Sequence, residues 1–135
     1  MADVTMGDMT IQLMRVPGEY AAHRLAPDTA VPEGAWSSPF VSVSRSSEEL
    51  SIITDAGVRI DAQSTVGPWL AYRVAGTIDF TVTGVMSALT APLADAGIGI
   101  LGISTYDTDY ILVHADSGVA AEITWREAGI EVDRA

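Results

Sequence analysis

Two short stretches of the chain carry residue types that could do chemistry: VAGTIDFT at 74–81 and STYDTD at 104–109. Gly76 leaves bare backbone that a ligand can approach closely. The amides from Thr81 to Thr83 fall where a helix is expected to begin. Unsatisfied N–H groups at a helix start can hold a carboxylate, helped by the helix dipole. Asp79, Asp107 and Asp109 can accept hydrogen bonds from an ammonium or a guanidinium. An anion cradle beside a group of acids suits a zwitterionic amino acid. The same residues also admit a structural reading, in which Asp79 caps the helix and Asp107 and Asp109 build a turn.

Other chemistries find little support. The chain lacks Lys, Cys and Asn. Without Lys there is no Schiff base and no P-loop lysine. Without Cys there is no disulfide, no thiolate nucleophile and no thiolate metal site. The two histidines, His23 and His114, are far apart in sequence and show no HxH or HxxxH spacing, so no metal site is expected. Ser44, Ser87 and Ser104 lack a G-x-S-x-G context. The glycines at 97, 99 and 102 follow a predicted helix where a dinucleotide fingerprint would follow a strand. No cofactor is expected.

The charge balance excludes further partners. Eighteen acids face seven bases, for a formal charge of −11. Such a chain repels phosphate backbones and anionic membrane surfaces, so neither nucleic acid nor membrane is an expected partner. The opening MADVTMGDMT is acidic and lacks an apolar h-region. No apolar run approaches the roughly 20 residues needed to span a bilayer. A cytoplasmic location is therefore expected.

The elements that must position these residues read most clearly in the second half. Leu70 to Val74 alternates as a strand. A helix is expected from about Val82 to Ala96, with Val82, Val85, Met86, Leu89 and Leu93 forming one apolar stripe. Thr81 or Thr83 would cap its start and Gly97 would stop it. Pro92 inside this span predicts a kink. Ile98 to Ser104 and Tyr110 to His114 are expected to pair as a hairpin about the polar TYDTD turn. A second helix, capped by Asp116 or Ser117, runs to about Ala128, with Val119, Ala120 and Ile123 inward and Gly129 as its stop. Ile130 to Val132 closes the unit. The order β-α-β-β-α-β is the split, ferredoxin-like arrangement.

The first half is less regular. Ile11 to Val16, Tyr20 to Leu25, Phe40 to Ser44 and Leu50 to Thr54 read as strands. Prolines at 27, 32 and 39 make a loop in which Trp36 is expected to plug a core edge. Asp61 to Pro68 reads as a linker. The expected division is 1–66, helix-poor, and 67–135. Ferredoxin-like units serve several functions, and residue types prune them. An RNA-recognition motif needs a basic sheet with exposed aromatics; a metallochaperone needs C-x-x-C; an acylphosphatase-like enzyme uses an Asn.

At these residues the sequence resembles a known family. The stretch AYRVAGTIDFTVTGVMSALTAPLADAGIGILGISTYDTDYILV, ending at Val113, is similar to the amino-acid-binding ACT domain of the CASTOR type and of aspartate kinases. The segments TIQLMRVPGEYAAHRLAP and FVSVSRSSEELSII resemble the first half of small bacterial stand-alone tandem ACT proteins, so the likeness runs from about Met9 to Val132. The resemblance implies an α+β fold, a ferredoxin-like ACT domain preceded by a degenerate ACT-like half. It also implies a homodimer with effector sites at ACT interfaces. Gly76 and Asp79 match the strand–helix loop of the site; Thr105, Tyr106 and Asp109 match its second wall, where the last acid contacts a cationic side chain. The expected ligand-binding set is thus Gly76, Thr77, Asp79, Thr81, Thr83, Thr105, Tyr106, Asp107 and Asp109, with no catalytic residue assigned. The chain carries no attached kinase, so an unidentified protein partner would respond to the ligand. The alternative is a small biosynthetic enzyme acting on an amino-acid-derived metabolite, with His23 or His114 and nearby acids as bases.

Overall fold

The computed structural model describes residues 3–4, 11–78 and 84–134. The strands in chain order are β1 (Asp3–Val4), β2 (Gln12–Arg15), β3 (Tyr20–Leu25), β4 (Ser42–Arg45), β5 (Leu50–Asp55), β6 (Ser64–Val74), β7 (Thr77–Ile78), β8 (Ile100–Ser104), β9 (Asp109–His114) and β10 (Glu131–Arg134). Two α-helices, α1 (Val85–Asp95) and α2 (Gly118–Glu127), join them, and short 3-10 turns occupy Glu33–Trp36 and Ala115–Ser117. The chain forms two compact units, Met1–Val16 with Leu70–Ala135, and Pro17–Trp69. A single cut between residues 66 and 67 does not reproduce them, because Met1–Val16 groups with the C-terminal segment.

The discontinuous unit follows the order β6–α1–β8–β9–α2–β10, the expected β-α-β-β-α-β arrangement. Its sheet runs β10–β2–β6–β9–β8. The N-terminal strand β2 is the addition: it pairs antiparallel with β6 and parallel with β10, and so separates two strands that are neighbours in the plain ferredoxin-like order. Leu13, Leu70, Tyr72, Val74, Ile111, Val113 and Val132 project from the sheet into a core closed by Leu89 and Leu93 of α1 and Ala121 and Trp125 of α2. Alternation along each strand gives this face its apolar character.

Both helices end in the same way. Gly97 and Gly129 take left-handed φ values of 76° and 84°. The bonds Gly97 N–H to Ala94 O (3.0 Å) and Ile98 N–H to Leu93 O (2.9 Å) are repeated by Gly129 to Arg126 and Ile130 to Trp125. This is a Schellman closure with an apolar residue following the glycine. The expected stops are therefore the observed ones. Pro92 stays inside α1 as an interior residue of one continuous helix.

Three sequence expectations are corrected here. Val119 and Ile123 are exposed, as is Ala120; the buried residues of α2 are Gly118, Ala121, Glu122 and Trp125. The bulk of Trp125, one turn beyond Ala121, sets which face turns inward. Trp36 is exposed, and its neighbour Ala35 fills the core position, its carbonyl accepting a 2.7 Å bond from the buried Thr54 hydroxyl. The stretch Asp61 to Pro68 is not wholly a linker, because β6 already begins at Ser64 and pairs with β3 through Arg24, His23 and Ala22.

The inserted unit, Pro17–Trp69, is built on the antiparallel order β4–β5–β3 and the first part of β6. Leu25, Ala35, Leu50 and Ile52 form its core. His23, only 6% exposed, stands opposite Ile52 and Thr65 on the strands to either side. Its Nδ1 lies 2.8 Å from the Thr65 hydroxyl, while Nε2 is buried without a hydrogen-bond partner among the described residues. Burial pushes its pKa below the ordinary 6.5. The folded form then binds fewer protons than the unfolded chain, so stability falls as pH drops through 6.5 and levels off once the folded imidazole also protonates. One proton sets the ceiling on this slope, about 1.4 kcal/mol per pH unit. Urea midpoints between pH 7.5 and 5 should show this decline, and His23→Gln should flatten it; parallel curves for the two proteins would refute the assignment.

Candidate functional site

The discontinuous unit brings the two sequence segments together. β6 ends at Val74, and Gly76, with a φ of 85°, turns the chain into β7. β7 carries Thr77, which pairs in parallel register with Asp3 of β1. On the other side, β8 and β9 form the expected hairpin, pairing from Ile100↔Val113 to Ser104↔Asp109. The turn between them is held by Thr105: its amide donates to Thr108 O at 2.8 Å and its hydroxyl to the same carbonyl at 3.1 Å. The buried Thr108 hydroxyl then donates to Val74 O at 2.9 Å. This bond crosses 34 residues of sequence. It ties the hairpin turn to the exit of β6, immediately before Gly76.

Thr105, Tyr106 and Asp107 are exposed on this turn, and Asp109 is half-buried at the start of β9. The Ser104 hydroxyl donates to Asp109 Oδ1 at 2.7 Å. A carboxylate accepts roughly four hydrogen bonds, so this contact orients Asp109 while leaving capacity for a cationic group. The turn segment thus offers fixed acceptors next to a backbone made accessible by glycine.

The opposite wall is partly revised. α1 begins at Val85 and is capped by Gly84 in the left-handed region with φ 83°, without a side-chain cap among the described residues. The amides that open the helix therefore belong to Val85, Met86 and Ser87, in place of those of Thr81 to Thr83. A glycine supplies the left-handed cap without steric cost, which a threonine does not. Asp79, Thr81 and Thr83 lie outside the described residues. The first turn of α1 packs close to the hairpin: a Cβ on Gly102 of β8 would meet Met86 Sδ at 3.7 Å. Three elements are thus neighbours along β8 and its turn: the exit of β6 bound to Thr108, the opening of α1 beside Gly102, and the β8–β9 turn that follows Ser104.

Sequence reasoning missed Thr108, which joins the first and third of these elements. Its only local signal is a hydroxyl between two acids. The inserted unit carries a separate cavity of about 260 Å³ lined by Arg24, Glu49, Ser51 and Ser64, among others. There Arg24 and Glu49 neutralise each other at 3.1 Å, so it offers no net charge from that pair to a ligand. Among the described residues no group of three or more His, Cys, Asp or Glu could hold a metal ion. No helix in the described residues is long and apolar enough to cross a membrane.

Residues 64–124 match the family model of the ACT domain. The matched segment contains β6, α1, the whole β8–β9 hairpin and most of α2. Residues 18–57 match a second model, that of an N-terminal domain. No curated protein matches the chain. Among solved structures, a protein from Agobacterium tumefaciens is similar at 29% identity and a TM-score of 0.84, over 94% of this chain and 95% of that one. A Vibrio cholerae protein of unknown function, described as a possible transport protein, aligns at 18% identity and a TM-score of 0.69, over 89% and 91%. The aspartate kinase of Clostridium acetobutylicum, described as an allosteric enzyme, aligns at 10% identity and a TM-score of 0.65, over 94% of this chain and 36% of that one. The last two likenesses concern the fold. Within the matched segment, the Thr108 hydroxyl and the Val74 carbonyl join the two stretches 74–76 and 104–109.

Proposed function

We propose that the protein is a regulatory module that binds a free amino acid in its ACT segment. The ligand lies between Gly76, the opening of α1 and the Ser104–Asp109 turn. The observation that carries this reading is the Thr108–Val74 bond, which holds a glycine-flanked backbone against a turn bearing an oriented aspartate. The amides of Val85 to Ser87 suit the ligand carboxylate, and Asp109 suits its ammonium or a cationic side chain. The ACT match over 64–124 and the likeness in fold to an aspartate kinase support the same class of ligand. On this reading the module works in the cytoplasm as a homodimer and signals to an unidentified protein partner, without catalysing a reaction. Catalysis has weaker support: His23 is buried in the inserted unit, and the His114 ring nitrogen lies 3.3 Å from the Asp116 amide that it caps.

The test is a thermal-shift screen against the twenty common amino acids. A ligand at one hundred times its dissociation constant adds about 2.7 kcal/mol to stability, a rise of several degrees in Tm. At least one amino acid should give such a rise. Asp109→Ala should abolish it while leaving the unliganded Tm within a few degrees. If none of the twenty shifts Tm, or if the shift survives Asp109→Ala, the reading is wrong.

A further inference from the structure

The seven arginines of this chain are outnumbered by 18 acids, yet three of them gather on one face of the discontinuous unit. Arg134 of β10 stands opposite Arg15 of β2, and Arg15 stands opposite Tyr72 of β6. Residues paired in register share a face, so these three side chains form a row across three strands. α2 lies above the same face. Its Glu122 accepts a 2.5 Å bond from the Tyr72 hydroxyl through Oε2. Oε1 faces Arg126 at 3.5 Å and Arg134 at 3.8 Å.

The charges in this row do not balance. Among the described residues this face sets three guanidiniums against one carboxylate, and Glu122 is the only ion-pair partner that Arg126 and Arg134 have there. Arg15 has no ion pair there at all. Like charges placed side by side on neighbouring strands disfavour a sheet unless a counter-charge is supplied. The acids of β10 do not supply it: Glu131 and Asp133 alternate to the other face, where Asp133 is engaged by the Gln12 amide. The side chains of Arg126 and Arg134 are 53% and 64% exposed, so their forks are open to solvent on one side and oriented by a largely buried carboxylate on the other. Burial and the Glu122 carboxylate push the Tyr72 hydroxyl above its ordinary value, so it stays a neutral donor that occupies Oε2 and leaves Oε1 to the arginines.

We propose that Arg15, Arg126 and Arg134 form a site for an oxyanion, the phosphate or carboxylate group of a small molecule. Planar guanidinium forks match such groups with paired N–H donors, and a surplus positive patch on an acidic protein concentrates anions locally. Glu122 acts beneath the ligand as a positioning residue for the forks. The site stands independently of the amino-acid site at the Ser104–Asp109 turn.

Proton–nitrogen NMR titration of the full chain tests this. The probes are inorganic phosphate and citrate at low millimolar concentration, each against sodium chloride of equal ionic strength. Saturable shifts of the arginine Nε–H signals are expected, weakened at least fivefold in Arg15→Gln and in Arg134→Gln. Saturation by phosphate alone identifies a phosphoryl ligand, saturation by citrate alone a carboxylate ligand, and either supports the site. No saturable shift with either probe overturns it, as does saturation unchanged in the variants. Arg134 is mostly exposed, so Arg134→Gln decides the matter if Arg15→Gln fails to fold.

Discussion

Trp125→Ala should destabilise the protein by about 3–5 kcal/mol, the cost of emptying a large aromatic from a closed core. Trp125 is fully buried between α1 and α2. Its ring meets Tyr72 edge-on at a centroid distance of 4.9 Å, and its indole N–H donates to Leu89 O at 2.9 Å. It therefore links the second helix to both the sheet and the first helix. Trp125→Phe keeps most of the apolar volume and the edge-on contact but loses the donor, so its loss should be about half as large. Urea unfolding followed by circular dichroism measures both. A loss below about 1 kcal/mol for Trp125→Ala would show that the helices pack without it.

Trp125 also shows where sequence reading succeeds and where it stops. The period of α1 is legible because Val85, Leu89 and Leu93 repeat at helical spacing and all face the core. Its true start is not legible, because Gly84 breaks the stripe and caps by its left-handed backbone, a conformation that composition does not reveal. In α2 the apolar Val119 and Ile123 suggest the wrong face. The inward face instead holds Trp125, the small Gly118 and Ala121, and a glutamate, and only the partners of that glutamate on β6 and β10 explain its burial. β3 is legible from Tyr20 to Leu25 by simple alternation. The position of β2 between β6 and β10 is not, since strand order depends on pairings more than fifty residues apart in sequence. The candidate site divides in the same manner. The Ser104–Asp109 turn is marked by its local residue types, whereas Thr108 gains its meaning from a carbonyl on another strand.

That buried glutamate should be the most costly polar residue to remove. In Glu122→Ala the Tyr72 hydroxyl loses its acceptor inside the core, while Arg126 and Arg134 lose the carboxylate they share. Removing one member of a buried charged pair costs about 3–5 kcal/mol, because the partner is left desolvated and uncompensated. Arg126 and Arg134 are more than half exposed and can turn to water, so no charge is left stranded; the unsatisfied Tyr72 hydroxyl carries most of the effect, and a loss of about 1–3 kcal/mol is expected. Glu122→Gln keeps an acceptor for Tyr72 and should lose only about 1 kcal/mol. Tyr72→Phe removes the donor and leaves Glu122 facing the arginines alone. A double-mutant cycle on Tyr72→Phe and Glu122→Ala, read from urea midpoints, should therefore give a coupling of about 1.5–3 kcal/mol, the range for hydrogen bonds to a charged group. Additive losses in that cycle would mean that Glu122 is buried for its packing, and that the Tyr72 hydroxyl finds another partner once the carboxylate is gone.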